Sequence, residues 1–500
     1  MKSITILFIV LLSNINLYSN QIYISTNGND NFGNGTINSP FFSIQFVLDN
    51  KSIAGDELIL REGKYLSNEI NIRTNNITIK SYQNEFAKII APINIDSITY
   101  CIAFKNPEIN FGLLERLDIS GGYFYGIFFN TNWDDGEIYS NRRGVRNVTL
   151  LNCRIHDTGR DCIKITPACS DIKIIGCEIY NSGVGPSNDP TNPDPYSHNA
   201  EGIDNVNSPR MIVRDCYFHD ISTNGIYAKG GAEDCLIENN LIMNTGDGGI
   251  FMGFDTDDEW YNPETNPKRY DNIRGVARNN FIINTGSAGI GFWGAKDCKV
   301  YNNTIITPTK TFFSPLFINH NEIYPDANPE PKYKTACEGL FIKNNIFVDL
   351  SPNTDDDLTI EVREAALTGN NDIDNNLYYK VSGKIKVRYL GNDISFEDWQ
   401  NKNGYDVNSI ESNPMLDSNF HLLSNSICIN KGALIQGLLK DYDGSNRSDK
   451  PDLGADEFTL NLNLKIPPKK GTIGTGGENS KVVSMINEFK TKFYKILELK

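Results

Sequence analysis

Short β-branched runs broken by Asn, Asp and Gly recur through the middle of the chain. The same phrase returns at LLNCRI (150–155), IIGCEI (174–179), VRDCYF (213–218), IENNLI (237–242), ARNNFI (277–282), VYNNTI (300–305) and IKNNIF (342–347). Its third residues, Asn152, Gly176, Asp215, Asn239, Asn279, Asn302 and Asn344, are spaced by 24, 39, 24, 40, 23 and 42 positions. Three intervals are a bare repeat, and the other three exceed it by one loop, which is the pattern of a solenoid with insertions. An apolar residue stands two places before each anchor and another three places after it. Such short alternating runs predict strands and turns rather than helices. A period of 23–24 residues holds three strands of about 4–5 residues and three corners. The leucine-rich repeat competes at this length, but its fixed leucine frame is missing. The pattern therefore predicts an all-β chain wound as a parallel β-helix, each coil burying its inward residues on its neighbours.

A second column follows each anchor: Cys153, Cys177, Cys216, then Asn240, Asn280, Asn303 and Asn345. Stacked Asn side chains hydrogen-bond to nearby backbone at tight corners, and stacked Cys behave as small buried hydrophobes. These positions read as ladders that hold the coil. Of the ten cysteines, those in the column are accordingly expected as reduced, buried thiols; Cys101, Cys337 and Cys428 are out of phase and give no reading.

A further set of strands starts after Thr-Gly or Asn-Gly corners at CIKIT (162–166), GIDNV (202–206), GIYAK (225–229), GIFMG (249–253) and GIGFW (289–293). With the isoleucine inward, alternation turns the third and fifth residues outward. One sheet face then carries Lys164 and Thr166, Asp204 and Val206, Tyr227 and Lys229, Phe251 and Gly253, and Gly291 and Trp293. Flat aromatic platforms among a few polar groups suit a sugar-binding groove. Lys164, Phe251 and Trp293 are its expected substrate contacts. The insertions Val184–Asn199, Asp255–Asp271 and His320–Cys337 would wall it, bringing in His198 and Trp260. Clustered oxygens of Glu201, Asp204, Asp255 and Asp257 could bind Ca²⁺, which takes about 6–8 such ligands; an acidic surface turn is the plainer reading of 255–259. His156-Asp157 and His219-Asp220 fall at a repeated corner and read as structural.

The net charge of −15 argues against nucleic acid, which selects a basic face. Residues 1–20 begin Met1-Lys2, continue with ILFIVLL and end in small polar residues, as a secretory signal peptide does. That run is short for a bilayer span, and no longer apolar run follows it. A secreted or cell-surface bacterial protein, monomeric, with an extracellular polysaccharide as partner, is the expectation. Residues 21–100 read as the N-terminal cap, with a short helix after Ser39-Pro40, and the first coils. Residues 101–458 read as β-helix with insertions, with a further coil or two in 351–440. Residues 459–500 read as a linker and a helical tail, with Val482, Ile486, Phe489, Phe493 and Ile496 at helical spacing.

The run S-x-N-G-x-D…G-T…S-P-F-x-S-I-Q…G-D-x-L-x-L-R-x-G-x-Y (25–65) resembles the N-terminus of many secreted right-handed β-helix proteins of the pectin-lyase-like superfamily. DYDGSNRSDKPDLGADEF (441–458) is similar to an ending common in its bacterial members. The resemblance spans about residues 22–458 and implies a right-handed, three-sheet helix. The superfamily holds polysaccharide lyases, glycoside hydrolases, epimerases and surface proteins. Its lyases use Lys or Arg to remove the proton beside a uronate carboxylate, often with Ca²⁺. That implies Lys229 as base, within the unusual AKGGA (228–232), whose glycines leave room near the backbone, with Tyr227 as acid or substrate contact. A hydrolase would instead pair Asp204 with Asp161, Glu201 or Asp255. A binding protein without catalysis is the third class. No full pectate, alginate or chondroitin lyase signature is present.

Overall fold

The computed structural model describes residues 20–132, 141–189, 191, 198–307, 313–324, 331–352 and 357–459. The signal-peptide reading of residues 1–20 and the helical-tail reading of 460–500 lie outside these, apart from Asn20.

The described chain is a right-handed parallel β-helix with three sheets of twelve strands each. Sheet I opens with Gln21–Ile24 and runs through Val148–Leu151, Lys173–Ile175 and Ile212–Arg214. Sheet II opens with Gly63–Leu66 and includes Arg154–His156, Glu178–Tyr180 and Tyr217–Ile221. Sheet III opens with Ile70–Ile72 and includes Ile163–Ile165, Ile203–Val206, Ile226–Lys229, Ile250–Met252 and Ile290–Trp293. Consecutive coils pair in parallel and in register, so that Leu150 lies beside Ile174 and Ile174 beside Val213. A short five-stranded sheet of two-residue strands, from Ala232–Glu233 to Leu367–Thr368, adds a further parallel ladder.

Corner chemistry explains the anchors. Asn152, Gly176, Asp215, Asn239, Asn279, Asn302 and Asn344 all have φ between 52° and 62°. That left-handed geometry is open to Gly and tolerated by Asn and Asp, whose short side chains can hydrogen-bond locally. A second left-handed column runs through Asp157, Asn181, Asp220, Asn244 and Asn284, so His156-Asp157 and His219-Asp220 do sit at a repeated corner.

The second column is a continuous hydrogen-bonded ladder. Asn240 Nδ2 donates to Asn280 Oδ1 at 3.0 Å, Asn280 to Asn303 at 2.9 Å, Asn303 to Asn345 at 2.9 Å and Asn345 to Asn376 at 3.0 Å. Each Nδ2 also reaches a carbonyl of the preceding coil, as Asn240 does to Val213 O at 3.0 Å. The last amide, Asn376, donates to the buried carboxylate of Asp406. The cysteines occupy the same slot: Cys177 Sγ donates to Leu150 O and Cys216 Sγ to Ile174 O. A thiol is a weak donor, but here it meets the carbonyl that an Asn would meet. All ten cysteines are buried and unpaired.

Two helices close the described ends. α1 (Ile44–Asn50) buries Ile44, Val47 and Leu48 beside the first strand of sheet III. α2 (Phe396–Asn403) buries Phe396 and Trp399, starts on the Ser395 hydroxyl accepting from the Asp398 N–H, and stops at Gly404 with φ 73°. Beyond it the chain returns as a strap over the outer face of sheet II. Phe420, Tyr442 and Leu453 pack there on Leu241, Phe281, Ile283 and Ile306. The anchors hold the strap: Arg447 donates to Asn279 Oδ1 at 2.9 Å, Asn302 Nδ2 to Gly454 O at 3.1 Å and Asn344 Nδ2 to Ala433 O at 2.7 Å. Among the described residues no helix is long and apolar enough to cross a membrane.

Candidate functional site: three buried carboxylates on sheet III

Strand alternation on sheet III produces one outward column, Phe128, Lys164, Asp204, Tyr227, Phe251, Gly291 and Phe317, each beside the next in register. Lys229 lies beside Val206 in the parallel column. Of the residues expected on this face, Lys164, Asp204, Tyr227, Phe251 and Gly291 lie in one column.

Its centre is three buried carboxylates. Asp161, Glu201 and Asp204 each present an oxygen within 4.8 Å of the others. Lys164 Nζ is ion-paired with Asp204 Oδ2, while Asp204 Oδ1 is buried without a hydrogen-bond partner. The Thr223 hydroxyl donates to Glu201 Oε1 at 3.0 Å. The Asn199 amide, turned with its nitrogen toward Glu201, donates to both carboxylate oxygens at 2.8 and 2.9 Å. Burial alone would raise Asp204, but the charges of Lys164 and Lys229 overcome it and hold this carboxyl below its ordinary value. Burial drives Glu201 well above the usual carboxylate range, with Asp161 and Asp204 adding to it. Asp161 is also raised, chiefly by burial. The trio therefore pushes Asp204 and Glu201 in opposite directions.

Lys229 Nζ lies 4.8 Å from the Tyr227 ring centroid and has no hydrogen-bond or ion-pair partner among the described residues. Its charge acts on Glu201, Asp204, Asp255 and Asp271. The Tyr227 hydroxyl accepts from Asn224 Nδ2 at 2.6 Å, and burial holds the phenol neutral.

Two expectations change on the structure. Phe251 and Trp293 face outward but are only 1% and 5% exposed, because they pack with Tyr227, Phe254, Phe313 and Phe317 in one aromatic cluster. They are enclosed in that cluster and are not open platforms. Tyr125 and Phe128, half-buried, stack at 5.5 Å on the side of Lys164. The glycines of AKGGA also have a local cause. Gly230 and Gly231 have φ of 69° and 87°, and the Gly230 N–H donates to the buried Asp271 carboxylate. Asp271 further accepts from the Tyr261 hydroxyl at 2.7 Å and the Phe254 N–H at 2.6 Å, fastening the 254–271 insertion to the turn after Lys229.

Asp255 and Asp257 are exposed on that insertion and do not join the three carboxylates. Trp260 ends a half-buried 3₁₀ turn, Asp258–Trp260. His198 is half-buried, and its charge acts on Asp247. Residues 192–197 of its loop lie outside those described. The donor chemistry at Asp161, Glu201 and Asp204 fits a hard cation such as Ca²⁺, which prefers carboxylate oxygen, and the unpartnered Asp204 Oδ1 is a ready ligand atom.

No family model and no curated protein matches the sequence. Solved structures do match in shape. Pectate lyase Pel9A superposes with a TM-score of 0.48 at 14% identity, over 88% of this chain and 98% of its own. XylC in complex with xylose gives 0.47 at 11% identity, over 88% and 98%. The A-module of mannuronan C-5 epimerase AlgE6 from Azotobacter vinelandii gives 0.45 at 13% identity, over 74% and 94%. A likeness of this order concerns coil architecture, and the functional reading rests on this chain's own side chains.

Proposed function

We propose that the groove on sheet III cleaves a uronate-containing polysaccharide by β-elimination, and that the chain works outside the cell as a monomer. The supporting observation is Lys229, a basic group without an ion-pair partner among the described residues, set over Tyr227 beside the buried carboxylates. As the free amine, Lys229 takes the proton from the carbon next to the uronate carboxylate. The C–O bond to the leaving sugar breaks, a C=C bond forms, and the leaving oxygen collects a proton from solvent water, because Tyr227 is only 3% exposed within the aromatic cluster. Asp161, Glu201 and Asp204 would hold a Ca²⁺ ion, whose charge would neutralise the uronate carboxylate.

A second reading, glycoside hydrolysis, is favoured by one observation. Glu201 and Asp204 are pushed in opposite directions, as an acid and a base or nucleophile require. Their closest approach, within 4.8 Å, is near the roughly 5–5.5 Å of a retaining pair and short of the roughly 6.5–9.5 Å of an inverting one.

The protein incubated with a panel of uronate and neutral polysaccharides, with and without Ca²⁺, separates the two. Ultraviolet absorbance from unsaturated uronate ends, lost in Lys229→Ala, is the expected result. Reducing ends without absorbance, lost in Asp204→Asn, would replace elimination by hydrolysis. No product from any substrate, with retained binding, would make this a carbohydrate-binding protein.

A further inference from the structure

The strap carries a second buried cluster that the groove does not use. His421, at 0% exposure, lies under the strap with its Nε2 2.7 Å from Asp443 Oδ2. Asp456, at 2% exposure, completes the group: one ligand atom from each of His421, Asp443 and Asp456 lies within 4.8 Å of the other two. Asp456 Oδ2 accepts from the Leu422 N–H at 3.1 Å. Its other oxygen, Oδ1, is buried with no partner, and so is His421 Nδ1. The nearest carboxylate to Nδ1 is that of Asp417, at 3.9 Å, which already accepts from the Asn419 and His421 N–H groups. The neighbouring cation, Arg447, is committed to Glu457 at 2.7 Å and to backbone carbonyls.

Three carboxylates thus surround one imidazole, which as imidazolium offsets a single charge. Uncompensated charge away from water is costly. We propose that His421, Asp443 and Asp456 bind a divalent transition-metal ion of the zinc class. One imidazole nitrogen with carboxylate oxygens is a donor set for Zn²⁺, whereas Ca²⁺ selects oxygen alone. The unpartnered Asp456 Oδ1 is what such a site leaves open before the ion arrives. The three residues come from separate turns of the strap, so the ion ties those turns together on the outer face of sheet II, away from the groove. Its role is to hold the strap.

The test uses the full chain freed of metal by a chelator and titrated with Zn²⁺ in a calorimeter. One Zn²⁺ bound per chain, with a rise in Tm, is expected. Asp456→Asn and His421→Gln should each weaken binding at least tenfold, whereas Asp204→Asn should not change it. X-ray absorption of the wild-type zinc form should show one imidazole among oxygen ligands, a readout that stands even if a variant fails to fold. No binding by the wild type would overturn the proposal and leave a proton-only network. An oxygen-only shell, or binding lost in Asp204→Asn and kept in Asp456→Asn, would overturn it too.

Discussion

Replacing Asn303 by Ala cuts the ladder at its middle, and the cost can be worked from the contacts. Asn303 is fully buried. Its Oδ1 accepts from the Asn280 N–H at 3.0 Å and from Asn280 Nδ2 at 2.9 Å. Its Nδ2 donates to Ala277 O at 3.0 Å and to Asn345 Oδ1 at 2.9 Å. After truncation Asn345 Oδ1 keeps the Asn303 N–H, and Asn280 Nδ2 keeps Ile237 O. The Asn280 N–H and the Ala277 carbonyl lose these partners in a site closed to water. At about 1–3 kcal/mol for each orphaned buried group, the loss is about 4 kcal/mol. Cys177→Ala removes only weak thiol contacts to Leu150 O and Ile175 O and should cost about 1–2 kcal/mol. Urea unfolding compares the two variants. A solenoid can depart from two-state behaviour, so amide hydrogen exchange should accompany it, with protection lost most around residues 280 and 303. Equal destabilisation by the two variants would refute the ladder as a source of stability.

Lys164→Met leaves Asp204 buried without its ion-pair partner and should cost about 3 kcal/mol; a double variant with Asp204→Asn should recover most of it in a thermal melt, and failure to recover would show the pair to be idle. Burial pushes His156 down, but its hydrogen bonds to Asp118 and Asp157 overcome this and hold its pKa at about 9. A histidine raised from 6.5 stabilises fully below that pH and loses the contribution as pH rises through about 9. The wild type should therefore lose about 3 kcal/mol across that window relative to His156→Gln, and parallel urea midpoints for the two would contradict it. Burial raises the cysteine thiols, Cys162 and Cys169 to about 12; a thiol-reactive dye should label none in the native protein and ten after denaturation, and rapid native labelling would show that the columns open.

The coil was legible because its corners demand particular residues. Positive φ at every repeat confines the anchors to Asn, Asp or Gly, so geometry is written as composition. The groove was legible in direction: alternation placed Lys164, Asp204 and Tyr227 outward and in line. Alternation says nothing of what covers a face, and so Phe251 and Trp293, enclosed by Phe254, Phe313 and Phe317, read as open platforms. Asp161 carried a weak signal. It precedes the strand Ile163–Ile165 at a corner, where an Asp is expected for structural reasons alone, and only register brings it beside Glu201. Asp271 ends an insertion outside the repeat, and its three donors come from residues that no period connects to it. The run YFYGIFF (123–129) alternates like any strand, yet Tyr125 and Phe128 flank Lys164 half-buried.

Most contacts in this fold join a residue to one a single coil away, so winding can start at any coil and propagate to its neighbours. The strap breaks that rule. Arg447 meets Asn279 across 168 positions and Asn302 meets Gly454 across 152. During synthesis Leu241, Phe281, Ile283 and Ile306 therefore stay uncovered until residues 413–458 have been made, although their own coils can already have closed. The chain passes through a wound but sticky stage, in which that uncovered face is the surface most exposed to association with other chains. A polypeptide cut short at residue 412 would remain in it.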